Sequence, residues 1–300
     1  LVLSDANFVI FCRYNHLSLG LFLFSFTCFV SNFLKLGSVF FVLAVHYKQI
    51  ELYHALPVAV YLLSRTYTEL FPSSAIKSYC AWLRQLLVLF TCVSCTMFVL
   101  WFPFIYTRSD LFQILRRIFP FYRGLFEDKV ANLWCSLNVL IKLKKNFEIL
   151  FLLRISAVAV LVTNIPCLLS LYYRPTVLNF KYSLLASSLS FFLFSFQVHE
   201  KSILFVALPS LLLWQENPVL VSWLLIISNV RSVNRLAVHG SCLASLLLCL
   251  ASLVVRPPAR YPHIFSLLTA VYCFFHFMLF FLYVNFHMLR LTFKSVRKTV

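Results

Sequence analysis

QLLVLFTCVSCTMFVLWFPFIY, residues 85–106, carries no charged side chain. At 1.5 Å of rise per residue, a helix of about 20 apolar residues crosses the ~30 Å hydrocarbon core of a bilayer. Runs of the same kind lie at 17–35, 149–171, 180–197, 238–255 and 264–289, with shorter or interrupted ones at 37–46, 55–64, 202–214 and 218–229. They are too long and too continuous for the alternating ~10-residue strands of a membrane barrel, so each reads as a helix. The chain therefore reads as an all-α polytopic membrane protein, with roughly eight to ten membrane segments in a single domain over 1–300.

Composition agrees. The chain is 62% hydrophobic and 12% charged, with 34 Phe and only 4 Gly. About 25% charged residues is usual for a water-facing domain. The net charge of +17 raises nucleic acid as a partner. Yet the basic residues are spread over short connections and the tail Arg290, Lys294, Arg297 and Lys298, without one aromatic-laced patch. No nucleic-acid partner is expected. Such placement follows the positive-inside rule and puts the tail in the cytosol, with some of the excess available to anionic lipid. Cys92 and Cys95 form a CxxC inside a span with no second pair, which favours two packing residues over zinc or redox chemistry. The opening LVLSDANF has neither an initiator Met nor a signal peptide, so the chain is expected to be part of a longer protein.

Only nine acidic residues occur, and charge at a membrane edge is costly and often functional. Four clusters join acids, bases and amides to the ends of apolar runs: DANFVIFCRYNHLSLG (5–20), HYKQIELYH (46–54), IFPFYRGLFEDKVANLWC (118–135) and QVHEK (197–201). Lys48 and Glu51 stand three apart, as on one helical face, and Arg123 and Glu127 stand four apart. LFEDKVANLWC reads as a short amphipathic helix after a break at Phe119-Pro120-Phe121. Glu148, three and four residues after Lys145 and Lys144, reads as an ordinary surface pair. A structural ion pair explains any one cluster; repetition is what points to chemistry. Carboxylates can deprotonate a hydroxyl, and Lys, Arg and His can hold a phosphate as charge develops. There is no Walker loop, GxGxxG or DxD, so neither a nucleotide donor nor a metal is indicated, and no cofactor is expected. A donor drawn from the lipid phase, a polyprenyl-phosphate sugar, fits this pattern.

RIFPFYRGLFEDKVANLWCSLN (117–138) and LSFFLFSFQVHEKSIL (189–204) resemble the signature segments of the endoplasmic-reticulum dolichyl-phosphate-glucose-dependent glucosyltransferases. RYNHLSLG (13–20), HYKQIELYHALP (46–57) and, more weakly, PPARYPHIFSLL (257–268) are also similar. GLFEDKVANLWC and FSFQVHEKSIL resemble the members that add the initial α-1,3-glucose to the high-mannose oligosaccharide on dolichyl pyrophosphate. The resemblance implies a GT-C glycosyltransferase fold in the endoplasmic reticulum membrane with a luminal active site. It also implies inverting transfer by a single in-line displacement, with dolichyl phosphate glucose as donor and the lipid-linked oligosaccharide as acceptor. By it, Glu127 and His199 line the donor pocket beside Asp128. Arg123 and Lys201 are candidates for the phosphate, and Tyr14, Asn15, Lys48 and Glu51 shape the site or the acceptor groove.

Two departures accompany the resemblance. The family's catalytic base is expected to be an Asp upstream of Leu1. No residue here is assigned to that role, and the chain by itself is expected not to transfer glucose. Asp5 matches a later Asp of the family, before a QYN-like motif in which Arg13 replaces Gln. Around 229–240 the family carries a further span; without it, counting crossings from His199 leaves the basic tail luminal, so an internal deletion is expected there. A transporter would place charge in mid-span and show internal repeats; here charge sits at span ends and no repeat is seen. An inactive member that only binds dolichol-linked substrate stays open.

Adjacent residues of a helix point about 100° apart, so only one of Glu127 and Asp128 is expected to face the donor, and Glu127 shares Arg123's face. Glucose-transfer assays of Glu127→Gln and Asp128→Asn in the full-length protein should show the greater loss at Glu127. A greater loss at Asp128 reverses the assignment.

Overall fold

In lipid, backbone polar groups must be satisfied within the chain, which leaves helices as the economical way to lay down so apolar a sequence. The computed structural model describes residues 2–70, 76–105, 107, 110, 112–113, 130–196, 198–228 and 264–299. Helices and turns occupy these residues, and no strand occurs among them. Four of the described helices are long and apolar enough to cross a membrane: Tyr79–Phe104, Ile149–Tyr173, Val177–Phe194 and Leu267–Phe293. The chain divides into two compact units, Leu1–Gly124 and Leu125–Val300.

Unit 1 begins with a helical hairpin, α1 (Val2–Val30) and α2 (Leu34–Tyr47). The apolar run 17–35 is thus not one crossing. Asn32 takes φ of 66°, its N–H bonds to Phe29 O at 3.2 Å, and the Phe33 N–H reaches back to Cys28 O at 2.8 Å. This is the paired 5→2 and 6→1 closure that ends a helix at a left-handed residue, and Asn tolerates that conformation better than most. Hydrophobicity alone did not reveal the stop. The two helices approach closely at Gly37, where a Cβ would sit 2.5 Å from the ring of buried Phe29. Ser25 Oγ donates to Gly37 O at 2.8 Å. Small residues with a hydroxyl bond across are how helices associate without a hydrophobic drive. After α2, Lys48 is extended and Gln49–His54 forms a 3₁₀ turn. It leads into α3 (Ala55–Leu70), which returns through α4 (Ile76–Trp101), with Tyr67 edge-on to Trp82. One side of α4 exposes Leu87, Phe90, Phe98 and Val99, as lipid contact requires.

Unit 2 contains α5 (Leu133–Leu140), α6 (Leu143–Asn146), α7 (Ile149–Tyr173), α8 (Val177–Phe194), a 3₁₀ turn at Glu200–Ile203, α9 (Leu204–Leu211), α10 (Pro218–Ser228) and α11 (Ile264–Thr299). The sequence reading ran one amphipathic helix through LFEDKVANLWC; within its described part the helix starts only at Leu133, capped by Asn132. Glu148 is corrected too: the chain breaks at Phe147 and Glu148 is the extended residue just before α7, so it shares no helix with Lys144 and Lys145.

Helix α8 is the hub. It is buried nearly all round, which explains why its sequence has no polar face. Asn164 Nδ2 of α7 donates to Ser190 Oγ of α8 at 2.8 Å, and Thr163 Oγ1 meets the same hydroxyl at 2.6 Å. Ser183 Oγ donates to Cys167 O. On α11, Phe277 packs on Phe192 and His287 on Tyr182, so α11 runs antiparallel to α8. Ser170 Oγ meets Thr292 Oγ1 at 2.6 Å, and Arg174 Nη1 donates to Leu291 O at 2.7 Å. After α8 the chain retraces it: the 3₁₀ turn, α9 and the turns at 212–216 end where Glu216 pairs with Lys181 at 2.7 Å. The run 202–214 is therefore a return along α8 made of short pieces.

These directions separate two ends of unit 2. Arg174, Lys181, Arg290 and the basic tail belong to one, His199 to the other. The antiparallel course of α11 carries the tail away from His199, as the charge pattern demands, where counting apolar runs carried it to the same side. The apolar run 238–255 and the departure near 229–240 lie outside the described residues.

Gly37→Ala should lower stability by about 1–3 kcal/mol, the usual range for overpacking a closed core. Gly20→Ala, whose Cβ meets nothing within 4 Å, should be neutral or stabilising by up to ~1 kcal/mol, since Ala outranks Gly in a helix. Thermal unfolding in detergent compares them; equal shifts would refute the close approach.

Candidate functional site

Unit 1 gathers its polar residues at one end of the hairpin. Asn15, Ser18 and Phe22 recur on one face of α1, at spacings of three and four. All three are buried. Opposite them, the 3₁₀ turn places Glu51 and His54 one turn apart; with three residues per turn these side chains eclipse. Glu51 and His54 are both 0% exposed. His54 Nδ1 lies 2.9 Å from Glu51 Oε2, and Ser18 Oγ donates to Glu51 Oε1 at 3.0 Å. The His54 ring stacks on Phe22, centroids 4.3 Å apart. The Lys48 ammonium donates to Asn15 Oδ1.

The spacing of three holds for Glu51 and His54 as well as for Lys48 and Glu51. Lys48 precedes the turn with an extended backbone, and the eclipsed partners inside it are Glu51 and His54. Neither His54 nor Ser18 was singled out from the sequence. Their one sequence signal is that Ser18 falls within the polar cluster 5–20 and His54 within 46–54. Tyr14 lies on α1, one residue before Asn15.

Unit 2 builds its end from two separated segments. Val130, Trp134, Cys135, Phe196 and Val198 are buried in one cluster. Trp134 Nε1 donates to Phe194 O at 2.8 Å, satisfying one of the carbonyls a helix end leaves unpaired. Its ring lies edge-on to Phe196. Asn132 Oδ1 accepts from Cys135 N–H at 2.8 Å, which starts α5 and sets the Trp134 ring. The two long motifs are therefore neighbours, through 130–135 and 194–198, and His199 follows directly. His199 is exposed, and its Nδ1 accepts the Lys201 N–H at 3.1 Å. An accepting Nδ1 puts the proton of the neutral ring on Nε2. Glu200 is half-buried and Lys201 exposed.

Arg123, Glu127 and Asp128 lie outside the described residues. Among the described residues no three His, Cys, Asp or Glu side chains converge as metal ligands. Cys92 and Cys95 are free thiols on α4.

The ALG6, ALG8 glycosyltransferase family pattern matches residues 9–238. A Caenorhabditis elegans protein named probable dolichyl pyrophosphate Man9GlcNAc2 alpha-1,3-glucosyltransferase is 38% identical over 95% of this chain and 60% of its own length. The Gallus gallus dolichyl pyrophosphate Man9GlcNAc2 alpha-1,3-glucosyltransferase is 39% identical over 81% of this chain and 48% of its own. A Saccharomyces cerevisiae protein of that name is 37% identical over 71% and 39%. The chain spans about half the length of the curated relatives it matches.

Removing one partner of a buried hydrogen-bonded pair leaves the other unsatisfied, at about 1–3 kcal/mol and more for a charged group, whereas replacing both by apolar groups can be nearly neutral. His54→Phe should therefore destabilise strongly, Ser18→Ala by about 1 kcal/mol, and Glu51→Leu with His54→Phe should recover most of the loss. Thermal unfolding of the four proteins checks this; a double variant no better than His54→Phe would show that the pair is not the governing contact.

Proposed function

The chain belongs to the ALG6, ALG8 glycosyltransferase family, and on that premise we propose that the full-length protein transfers glucose from dolichyl phosphate glucose to the high-mannose oligosaccharide on dolichyl pyrophosphate. The new bond is α-1,3, and the reaction is a hexosyl transfer early in N-glycan precursor assembly. The protein is proposed to be a multi-pass endoplasmic reticulum enzyme of GT-C type, with roughly eight to ten membrane segments in this chain and the active site on the luminal side. No metal or other cofactor takes part in this reading.

The observation that carries it is the separation of ends in unit 2. Lys142, Lys144 and Lys145 precede α7 at the His199 end, so the assignment follows the C-terminal tail. Its Arg290, Lys294, Arg297 and Lys298 meet the preference of cytosolic segments for Lys and Arg, and the end with His199, Glu200 and Lys201 is assigned to the lumen. That end is where a lipid-anchored donor presents its phosphate. His199 offers Nε2–H and Lys201 an ammonium, two donors suited to the charge that grows on dolichyl phosphate as it departs. Trp134 and Phe196, locked beneath them, hold the backbone that aims His199. Arg123 and Glu127 are proposed to complete the donor pocket, with Asp128 next to them in sequence; Tyr14, Asn15, Lys48 and Glu51 are proposed for the acceptor side.

Inversion needs one displacement: the acceptor mannose hydroxyl attacks the anomeric carbon, its proton leaves to a base, and dolichyl phosphate is released with the electron pair of the broken bond. Glu51 is held by Ser18 and His54 and serves positioning in this scheme, so the base is not assigned. The expected deletion also keeps support. Ser228 and Ile264 lie toward the same end of unit 2, while the sequence between them offers a single run of spanning length, 238–255, where topology calls for none or two. The nematode match covers 317 positions, more than this chain's 300 residues.

His199→Ala in the full-length protein should lower glucose transfer at least about tenfold, ~1.4 kcal/mol of transition-state stabilisation, with expression near normal. Assays use synthetic dolichyl phosphate glucose and a lipid-linked acceptor. Unchanged activity removes His199 from the donor site, and failure to restore glucosylation in cells lacking this transferase removes the reading itself.

A further inference from the structure

Beside the Glu51 cluster, unit 1 holds two aromatic rings with polar atoms unspent. His46, in the last turn of α2, directs Nδ1 at Val42 O, 2.8 Å away. A carbonyl can only accept, so Nδ1 carries the proton, and Nε2 of the neutral ring is an acceptor. Trp101, the last residue of α4, faces that ring with centroids 5.7 Å apart and planes at 55°. His46 Nε2 and Trp101 Nε1 are both buried, and neither has a hydrogen-bond partner among the described residues. Buried polar atoms are normally paired, and each exception calls for an explanation.

The two atoms are of opposite sense: an acceptor on His46 and a donor on Trp101. A hydroxyl is the group that answers both, since it donates one hydrogen bond and accepts another. With the His46 ring neutral, a phosphate or carboxylate oxygen leaves Nε2 unmet, and an ammonium leaves the indole N–H unmet. The pair sits at the end of α2 that leads into Lys48, Glu51 and His54.

We propose that His46 and Trp101 form a subsite for one sugar hydroxyl of a lipid-linked substrate, an assignment that rests on the transferase reading above. The hydroxyl comes either from the glucose of the donor or from the terminal mannose of the acceptor. A site that hydrogen-bonds a substrate hydroxyl discriminates strongly against the analogue lacking it, because its own buried groups are then unpaired.

The test uses the full-length protein in nanodiscs with two series of probes: dolichyl phosphate glucose and its monodeoxy analogues, and the lipid-linked acceptor with monodeoxy analogues of its terminal mannose. Trp101→Phe keeps a ring and removes the N–H; His46→Phe removes the acceptor and is an independent variant should the first fail to assemble. KM is read for each probe, with donor binding measured separately in the absence of acceptor. Each variant is expected to raise KM about tenfold for one substrate. With a single deoxy analogue of that substrate, variant and wild type should become equal, which names the hydroxyl and its source. The same fold-change across every analogue of both series means the rings hold a buried water or merely pack, and overturns the inference alone. A wild-type protein that neither binds nor uses either parent substrate overturns the transferase reading and this inference together.

Discussion

A polar group carried into an apolar interior has to find its partner within the chain, because lipid offers none. In unit 2 that demand converges on α8. Ser190 answers Thr163 and Asn164 of α7, Ser183 answers a carbonyl of the same helix, and Ser170 of α7 answers Thr292 of α11. These bonds fix rotation and register where apolar contact alone would let helices slide, since lipid tails are as apolar as the side chains they compete with. Serine suits the task twice over: it is small enough to admit close backbones, and its hydroxyl bonds across the gap.

That register sets the two ends of unit 2 apart. With α8 antiparallel to both α7 and α11, one end of unit 2 collects Arg174, Lys181 and the basic tail, and the other collects His199 and its neighbours. Trp134 links the two long motifs by bonding the last turn of α8, so a residue from outside the QVHEK segment steadies the backbone that presents His199. Unit 1 uses a different device. Its 3₁₀ turn eclipses Glu51 with His54 and buries both, producing a rigid polar end where an α-helical turn would have splayed them by about 60°.

Helical class, membrane residence and the identity of the polar clusters were legible in the sequence, because hydrocarbon thickness sets a length that 85–106 and its counterparts meet without reference to any neighbour. The place of His199 and Lys201 between two helices was legible for the same reason: charge between two apolar runs sits where a helix ends. What could not be read were the partners. The stop at Asn32 depends on a left-handed backbone, which hydropathy does not record. Pairing of Glu51 with His54 depends on the turn being 3₁₀, and two residues spaced by three are compatible with several turns. Contact between Trp134 and Phe194 spans sixty positions, and no local pattern encodes it. The direction of α11, which parts the tail from His199, follows from packing against α8. The sequence by itself determined that the chain is helical and apolar enough to cross a membrane, since hydrophobicity and length belong to each segment alone; where helices stop and which ends and side chains meet was decided by tertiary structure, since that depends on complementary surfaces and hydrogen bonds between segments.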